Sequence, residues 1–503
     1  MSAPGPVGVP PTTAAGAAGN RIRPWVSPSP ATTRAFLDQV AATRPVDDVT
    51  FEPPEALRAR QDRLFARQMG WLAEASPHYG KVFAAHGVDA GDLRRLGDLP
   101  RLPVTTKADL MADPPSFRLR FPEPSLYDAT YTTVFTTGTT SGRPTPYEYT
   151  GHDFFGVLES GRRMFTMLGT VPGDRFFNAF PLSPLPHVAG FTQLITSAAG
   201  LHFLHGLTGT PYPEFPVHRP MSEVARLIEA NRPDVVSGIG SFLRRLFVDA
   251  AAEGRDFSSV KIVLPSGEVI TGRMRDHMRS HLARCGAEDV FIAGSYGFTE
   301  GGMAWAPCVE GGPMHASAPD QVVLEALDPH THEPRPDGEP GVIALTHLNR
   351  RGMPLLRYLL GDIGAISHEP CPHCGRWVES LLVSAGSANV SRTSELLKIK
   401  GTLVNPQVIH DVVMKAADVL EYQLVVTNRV EGDALSGDRL ILRVGLDPGV
   451  DGNGWDAEPL RHAVFHSTEV RPDVELAADV DTIYDPLREV KARRIVDQRA
   501  PLT

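Results

Sequence analysis

Long apolar runs, an excess of basic charge and a cysteine framework are all missing from this chain of 503 residues. No hydrophobic stretch approaches the roughly 20 residues that a membrane-spanning helix requires, so no membrane partner is expected. Lysine and arginine number 49 against 59 acidic residues, a net charge of -10. With no dense Lys/Arg run to supply a local footprint, nucleic acid is not an expected partner either. Four cysteines are too few to staple a chain of this length, which excludes a disulfide scaffold. The first ~30 residues are rich in Pro, Ala, Gly and Thr and have neither the charged start nor the apolar centre of a secretory signal. Residues 1–30 therefore read as a disordered tail, and the protein as cytoplasmic.

What is present is an ordinary globular composition, 42% hydrophobic and 21% charged, in a chain long enough for more than one domain and a large core. Its most unusual stretch is Thr136-Thr137-Gly138-Thr139-Thr140-Ser141-Gly142, which follows the β-prone run Tyr131–Phe135 and so reads as a loop leaving a strand. Glycine lets backbone N–H groups turn inward and the hydroxyls add donors, a combination that can cradle a polyphosphate. No Gly-Lys-Ser/Thr closes it, so it is not a Walker loop. A polar surface turn is the plain alternative.

Hydrophobic spacing organises the rest. Leu57, Leu64, Phe65, Met69 and Leu72 draw one face of a helix between Glu55 and Ala75. Thr105 or Thr106 can cap a helix that begins near Lys107. From the loop to about Glu300, β-rich and helical runs alternate. Strands are predicted over 175–180, 234–239, 260–264 and 290–293, and helices over 223–230 (capped by Ser222), 241–252 and 273–284. That alternation argues for an α/β sheet with helices on its faces, and in such sheets ligands bind at strand ends. Pro265-Ser-Gly267-Glu268 and Gly294-Ser-Tyr296-Gly297-Phe-Thr299-Glu300 stand at two such ends. After about Pro319 strands dominate, over 321–327, 341–348 and 365–368. From about Arg392 a smaller α+β unit follows, with helices over 406–419 and 457–470 and strands over 422–426, 439–444 and 474–478.

Four of these stretches, in this order, resemble the adenylate-forming superfamily of acyl-CoA synthetases, and within it the phenylacetate–CoA ligase-like branch. They are Leu102-Pro-Val-Thr-Thr-Lys107-Ala-Asp-Leu110, the loop Thr136–Thr145, the signature Tyr296-Gly-Phe-Thr-Glu300, and Arg357-Tyr-Leu-Leu-Gly-Asp362. The resemblance implies an α/β protein: a large adenylation domain over 31–391 and a small, mobile C-terminal α+β domain over 392–503. It implies ATP-dependent activation of a carboxylic acid, of an aromatic kind, with pyrophosphate release and transfer of the acyl group to coenzyme A. Transfer to an amine, a hydroxyl or a carrier-protein thiol stays open, as does a nucleotide-binding module without turnover. A homodimer is compatible with this reading.

Roles carry over residue by residue. Thr136, Thr137, Gly138, Thr139, Thr140, Ser141 and Gly142 would hold the phosphates, with Thr139 close to the chemistry. Gly267 and Glu268 stand where the family has its adenine-binding turn, and Tyr296, Gly297 and Thr299 belong to its signature, Tyr296 packing on the base. Glu300 would hold Mg²⁺, an ion that prefers carboxylate and phosphate oxygens. Asp362 would accept the ribose hydroxyls. Arg392 matches the inter-domain arginine, and Lys491 the lysine that enters the site to meet developing phosphate charge. His187, Phe191, Ser237 and Gly238 are candidate walls for the acid. The chain departs from the family at Ser141 (an extra loop residue), at Thr145 and Val490 (lysine and glycine in relatives), and at the hinge residue Ser394.

Cys371-Pro-His-Cys374 has zinc-knuckle spacing, yet two ligands do not close a structural tetrahedral site. Members of the branch place a cysteine and a histidine just after the signature, which here are Cys308 and His315. The resemblance thus implies a structural Zn²⁺ held by Cys308, His315, Cys371 and Cys374, with His373 a competing ligand and Cys285 buried outside the set. Four reduced thiols around a chance Cys-x-x-Cys is the alternative.

Overall fold

The computed structural model describes residues 49–135, 145–181, 186–208, 219–267, 270–382, 391–392, 397–399, 402–404, 406–430, 436–447, 449–483 and 494–499. The tail, the glycine–threonine loop from Thr136 to Gly142, Glu268, Ser394, Val490 and Lys491 lie outside the described residues, as do the side chains of His187 and Arg392.

Helix α1 (Pro54–Ala75) forms where the apolar spacing put it, with Leu57, Phe65, Met69 and Leu72 buried and proline in the first turn, where its missing N–H costs nothing. α2 (Pro77–His86) follows. α3 (Lys107–Ala112) opens on a capping box: Thr106 Oγ1 accepts from the Asp109 amide at 3.2 Å while the Asp109 carboxylate accepts from the Thr106 amide at 2.8 Å. Thr106 is therefore the cap. Thr105 instead donates its hydroxyl to the Leu356 carbonyl at 2.7 Å and bridges to Tyr358, 253 residues on in the numbering. β1 (Thr130–Phe135) and β2 (Pro146–Thr150) pair antiparallel, Phe135 opposite Pro146, so the two strands bracket the glycine–threonine segment as a hairpin would. α4 (Gly151–Met167) leaves β2 through a second capping box, between Thr150 and Asp153.

The expected parallel sheet comes next. β3 (Arg175–Asn178), α5 (Pro186–Ala198), β4 (His202–His205), α6 (Met221–Asn231), β5 (Val235–Ile239), α7 (Gly240–Ala252), β6 (Ile262–Ser266), α8 (Gly272–Arg284) and β7 (Phe291–Ile292) alternate along the chain. The sheet order is β4-β3-β5-β6-β7, parallel throughout. β5 is buried at every position, as a strand covered on both faces must be. Ser222 does not cap α6. The helix starts at Met221 with Pro220 in the capping position, because the fixed φ of proline already leads the chain into the first turn.

An antiparallel sheet supplies the remaining scaffold: β8 (Tyr296–Gly297), β9 (Ala304–Pro307), β10 (Met314–Ala316), β11 (Val322–Leu327), β12 (Gly341–His347), β13 (Tyr358–Ser367), β14 (Ser380–Leu382) and β15 (Ser391–Arg392). Its order is β11-β12-β13-β14-β10-β9-β8, with β15 also on β13. The strand predicted over 365–368 is only the end of β13, which starts at Tyr358. Pairing with β12 is interrupted between Leu359 and Ile363, where Gly361 turns at φ 76°, so the strand runs through a bulge at this point.

Beyond it lie β16 (Leu397–Ile399), β17 (Thr402–Val404), α9 (Pro406–Lys415), β18 (Val419–Asn428), β19 (Asp438–Leu446), α10 (Glu458–Thr468), β20 (Asp473–Leu476) and β21 (Ile495–Asp497). β16 and β17 pair with each other, and the later strands form a sheet of order β20-β19-β18-β21 beside a core that includes Ile409, Val413, Leu424, Leu442 and Val464. The helix predicted to reach Val419 stops at Lys415. Val419 is needed as the first rung of β18, opposite Leu446. No helix among the described residues is long and apolar enough to cross a membrane.

Candidate active site

The signature turn joins β8 to β9, which pair with Tyr296 opposite Trp305. The Tyr296 hydroxyl donates to Asp362 Oδ2 at 2.7 Å. Asp362 lies in β13, and β15 returns beside it with Arg392 in register opposite Asp362. Residues from three separate stretches thus meet on one strand. The Tyr296 ring leans on Phe298 and Trp305, centroids 5.6 and 5.9 Å away.

Glu300 sits at the end of the same turn with only 9% of its surface exposed. Burial pushes its carboxyl above the usual range, against the pull of the Lys107 ammonium and of the Tyr358 hydroxyl, which lies 3.4 Å from Oε1. A carboxylate held in so dry a place gains more from a cation than one in water does. Together with phosphate oxygens, one such carboxylate suits Mg²⁺, which keeps several waters and takes few protein ligands.

The other candidates divide. Gly267 caps the end of β6 at φ 77°, the left-handed region that favours glycine. Phe191 on α5 is half-buried, its ring edge-on to Tyr149 at 5.1 Å. Through Tyr149, whose hydroxyl donates to the Thr299 carbonyl, it touches the signature. Ser237 and Gly238 are taken up by the parallel sheet. The Ser237 hydroxyl donates to the Leu264 carbonyl at 3.1 Å, and a Cβ at Gly238 would come within 3.1 Å of Ala179.

The cysteines converge. Cys308 follows β9, His315 lies in β10, and Cys371 and Cys374 stand on the turn between β13 and β14. Cys308 Sγ lies 3.7 Å from Cys371 Sγ and 3.3 Å from His315 Nε2, which is 3.7 Å from Cys374 Sγ. All four ligand atoms fall within 4.8 Å of one another. Metal–sulfur bonds of about 2.3 Å at tetrahedral angles need edges of about 3.7 Å, so a four-coordinate ion such as zinc fits. The tautomer fits too. In the tautomer a metal requires, His315 Nδ1 donates to Ser380 Oγ at 2.8 Å, and that hydroxyl has the Val378 carbonyl at 3.3 Å to receive its own proton. Nε2 is then left with a free lone pair for a metal. Burial, then Arg376 and His373, push His315 down to about 4, the neutral form a ligand requires. Burial and the neighbouring sulfurs raise Cys308 to about 12, a penalty that a bound cation removes. His373, the competing ligand, is exposed and outside this cluster. Cys285 is buried, as expected.

The sequence model of the family described as AMP-binding enzyme matches residues 71–348. The chain belongs to that family. Within it, the chain falls in the phenylacetate–CoA ligase-like branch of the adenylate-forming superfamily. It is 30% identical over 380 residues to the phenylacetate–coenzyme A ligase of Thermus thermophilus, covering 74% of this chain and 79% of that protein. The enzyme of the same name from Aromatoleum evansii is 26% identical over 461 residues, covering 89% and 97%. Among solved structures, 2-hydroxyisobutyryl-CoA ligase with 2-HIB-AMP in the postadenylation state superposes with a TM-score of 0.69. That match covers 90% of this chain and 93% of the ligase at 21% identity, which carries the likeness of fold.

In this AMP-binding enzyme, sequence reasoning missed the residues that reach the signature from outside it. Tyr358 sits inside the Arg357–Asp362 segment, and a tyrosine four positions before the candidate ribose aspartate is a signal that could have found it. Lys107, whose charge acts on Glu300, carries no signal of its own within the Leu102–Leu110 segment. Trp305 and Glu379, which support Tyr296 from behind, carried no signal, because a lone tryptophan and a lone glutamate look like any others.

Proposed function

We propose that this enzyme activates a carboxylic acid with ATP and passes the acyl group to coenzyme A. The acid's carboxylate oxygen bonds to the α-phosphorus as the bond to pyrophosphate breaks, giving acyl-AMP. The coenzyme A thiol then adds to the acyl carbon, AMP leaves, and the thiol proton is released. The observation that carries this reading is the meeting of Tyr296 and Asp362 across 2.7 Å, 66 residues apart, with Glu300 on the same turn. Tyr296 offers a ring face to adenine, and Asp362 offers its remaining oxygen lone pairs to ribose hydroxyls. The glycine–threonine loop and Lys491 complete the site as phosphate cradle and mobile cation, carried by the loop after β1 and by a C-terminal domain from residue 392. Mg²⁺ on Glu300 would neutralise phosphate charge, and positioning plus charge neutralisation is most of what phosphoryl-group chemistry asks of a protein. Phe191 is the best-supported wall for the acid, and the named relatives suggest an aromatic one.

The Cys308, His315, Cys371 and Cys374 cluster is read as a structural Zn²⁺ site. Three thiolates and one imidazole close a tetrahedron and leave no open position for substrate. Four described cysteines outside any disulfide fit a reducing, cytoplasmic setting.

The test is acid-dependent pyrophosphate release across a panel of aryl and alkyl acids, with and without coenzyme A. Release should require the acid, and thioester should form only with coenzyme A. Nucleotide binding without acid-dependent release would refute the reading.

A further inference from the structure

Three successive backbone carbonyls of the signature turn are each held by a different buried side chain. The Tyr149 hydroxyl donates to the Thr299 carbonyl. His347 Nε2 lies 3.1 Å from the Glu300 carbonyl, and Arg350 Nη2 donates to the Gly301 carbonyl at 2.6 Å. The histidine's role is fixed by its other nitrogen. Nδ1 accepts from the Leu355 amide at 2.9 Å, so the proton sits on Nε2 and must go to Glu300. Its contact with Arg350 Nη2, at 3.3 Å, is then between two donors, and the guanidinium's bond goes to Gly301.

Each member is itself fixed. The Arg350 guanidinium lies over the Tyr149 ring at 4.7 Å and near Tyr147 at 5.9 Å. Both backbone groups of Arg350 pair with Gln68 of α1, the amide at 2.8 Å and the carbonyl at 2.9 Å. Burial works against the arginine's charge, and Tyr147, Asp153 and Tyr149 hold it up. Burial also keeps the Tyr149 hydroxyl protonated, hence a donor. The fit is tight. Gly302 turns at φ 67°, and a Cβ there would come within 2.9 Å of both Arg350 Nη2 and Tyr149 Cε1.

We propose that Tyr149, His347 and Arg350 form a three-point clamp on the signature turn, positioning residues that aim the Glu300 carboxylate and the Thr299 hydroxyl at the nucleotide. The proposal rests on the reading of Glu300 as the Mg²⁺ ligand. Fixing the carbonyls at 299, 300 and 301 holds the peptide planes on either side of Glu300, so the Cα–Cβ bond from which its carboxylate extends has one direction. Preorganisation of this kind is worth rate because no reorientation is needed when charge develops. Phe191 packs on Tyr149 at 5.1 Å, so the clamp also connects the candidate acid wall to the metal carboxylate.

The experiment uses full-length protein and the variants Tyr149→Phe, His347→Gln and His347→Leu. Phenylalanine removes one hydroxyl and keeps the ring beneath Arg350. Glutamine keeps an N–H near the Nε2 position and leucine does not. Two readouts are taken: hydrogen exchange of the peptide spanning 294–303, and the Mg²⁺ concentration giving half-maximal pyrophosphate release. Loss of one such bond should raise the Mg²⁺ midpoint about tenfold with the KM for the acid unchanged. Exchange should quicken at 294–303 while other core peptides hold, in Tyr149→Phe and His347→Leu more than in His347→Gln. Unchanged exchange and an unchanged Mg²⁺ midpoint in the first and third variants would overturn the proposal. So would exchange quickened evenly across the core, which is the mark of lost stability alone. A wild type that releases no pyrophosphate, with the exchange response intact, would overturn the ligase reading and leave the clamp supported.

Discussion

Glu379 offers the sharpest quantitative test of how the aromatic support behind Tyr296 is built. Its Oε1 accepts from Trp305 Nε1 at 3.3 Å and its Oε2 from the Leu324 amide at 2.9 Å. Burial raises its carboxyl from 4.5 to about 7, with the His368 charge and the two N–H donors pulling the other way. At about 1.36 kcal/mol per pH unit, that gap means the ionised form costs the fold about 3 kcal/mol. The sign follows directly. Below pH 4.5 the group is protonated in both folded and unfolded chains, and its contribution is fully present. It is lost as pH rises from 4.5 to about 7, because the unfolded chain ionises freely and the folded one does not. Glu379→Gln cannot ionise, but it turns an NH₂ group towards one of the two N–H donors, a mismatch costing about 1–2 kcal/mol at every pH. The wild type should therefore lead at pH 5, and by pH 8.5 the difference should swing about 3 kcal/mol towards the variant. Urea unfolding of both proteins across that range, with zinc held saturating, measures the swing. A flat difference curve would refute the reasoning. A swing in the opposite sense would mean that the two N–H donors outweigh burial.

Other substitutions test the remaining parts. Cys371→Ser should take the bound zinc from about one per chain to well below that and lower the melting temperature, read by metal analysis and calorimetry, since binding to the native state is linked to folding. Asp362→Asn should raise the KM for ATP about tenfold, by weakening charge-assisted bonds to ribose, with little change in the KM for the acid. Lys491→Ala should slow adenylation by about 100-fold or more while thioester still forms from supplied acyl-AMP. Equal loss of both steps would remove Lys491 from its assigned role.

The parts of this molecule that were legible in the sequence share a property: their signal is local. The spacing of Leu57, Phe65, Met69 and Leu72 marks α1 because one helix face must be apolar, and all four are buried. The run Val235–Ile239 reads as a strand because a doubly covered strand tolerates little else. The Tyr-Gly-Phe-Thr-Glu signature and the two halves of the cysteine cluster are short motifs whose members lie within a few residues of one another. Apart from the Ser222 cap, which the neighbouring Pro220 displaces, errors fell where a partner far along the chain decided the outcome. β13 begins at Tyr358 because β12 and Thr105 await it, and nothing between Tyr358 and Gly364 announces this. The same holds for Tyr149, His347 and Arg350. Each looks like an ordinary residue in its own neighbourhood, and only the fold brings them to one turn.

The cysteine cluster and the nucleotide residues do not need to touch for one to support the other. β9 is the connecting piece. Trp305 on β9 stands opposite Tyr296 of β8 on one edge and opposite Ala316 of β10 on the other. Ala316 follows His315 directly, and Cys308 is the first residue after β9. An ion held by Cys308 and His315 would thus fix one end of the β9–β10 pair, and through Cys371 and Cys374 it would tie that end to the turn between β13 and β14. Ser380, the hydrogen-bond partner of His315, lies opposite it in β14, and Glu379 beside it holds the Trp305 ring on which Tyr296 leans. A short strand pair left to itself is marginal. The Glu379–Trp305 bond ties this one in the middle, a metal on the cysteine cluster would tie its end, and the Tyr296–Asp362 contact is built against the wall so formed.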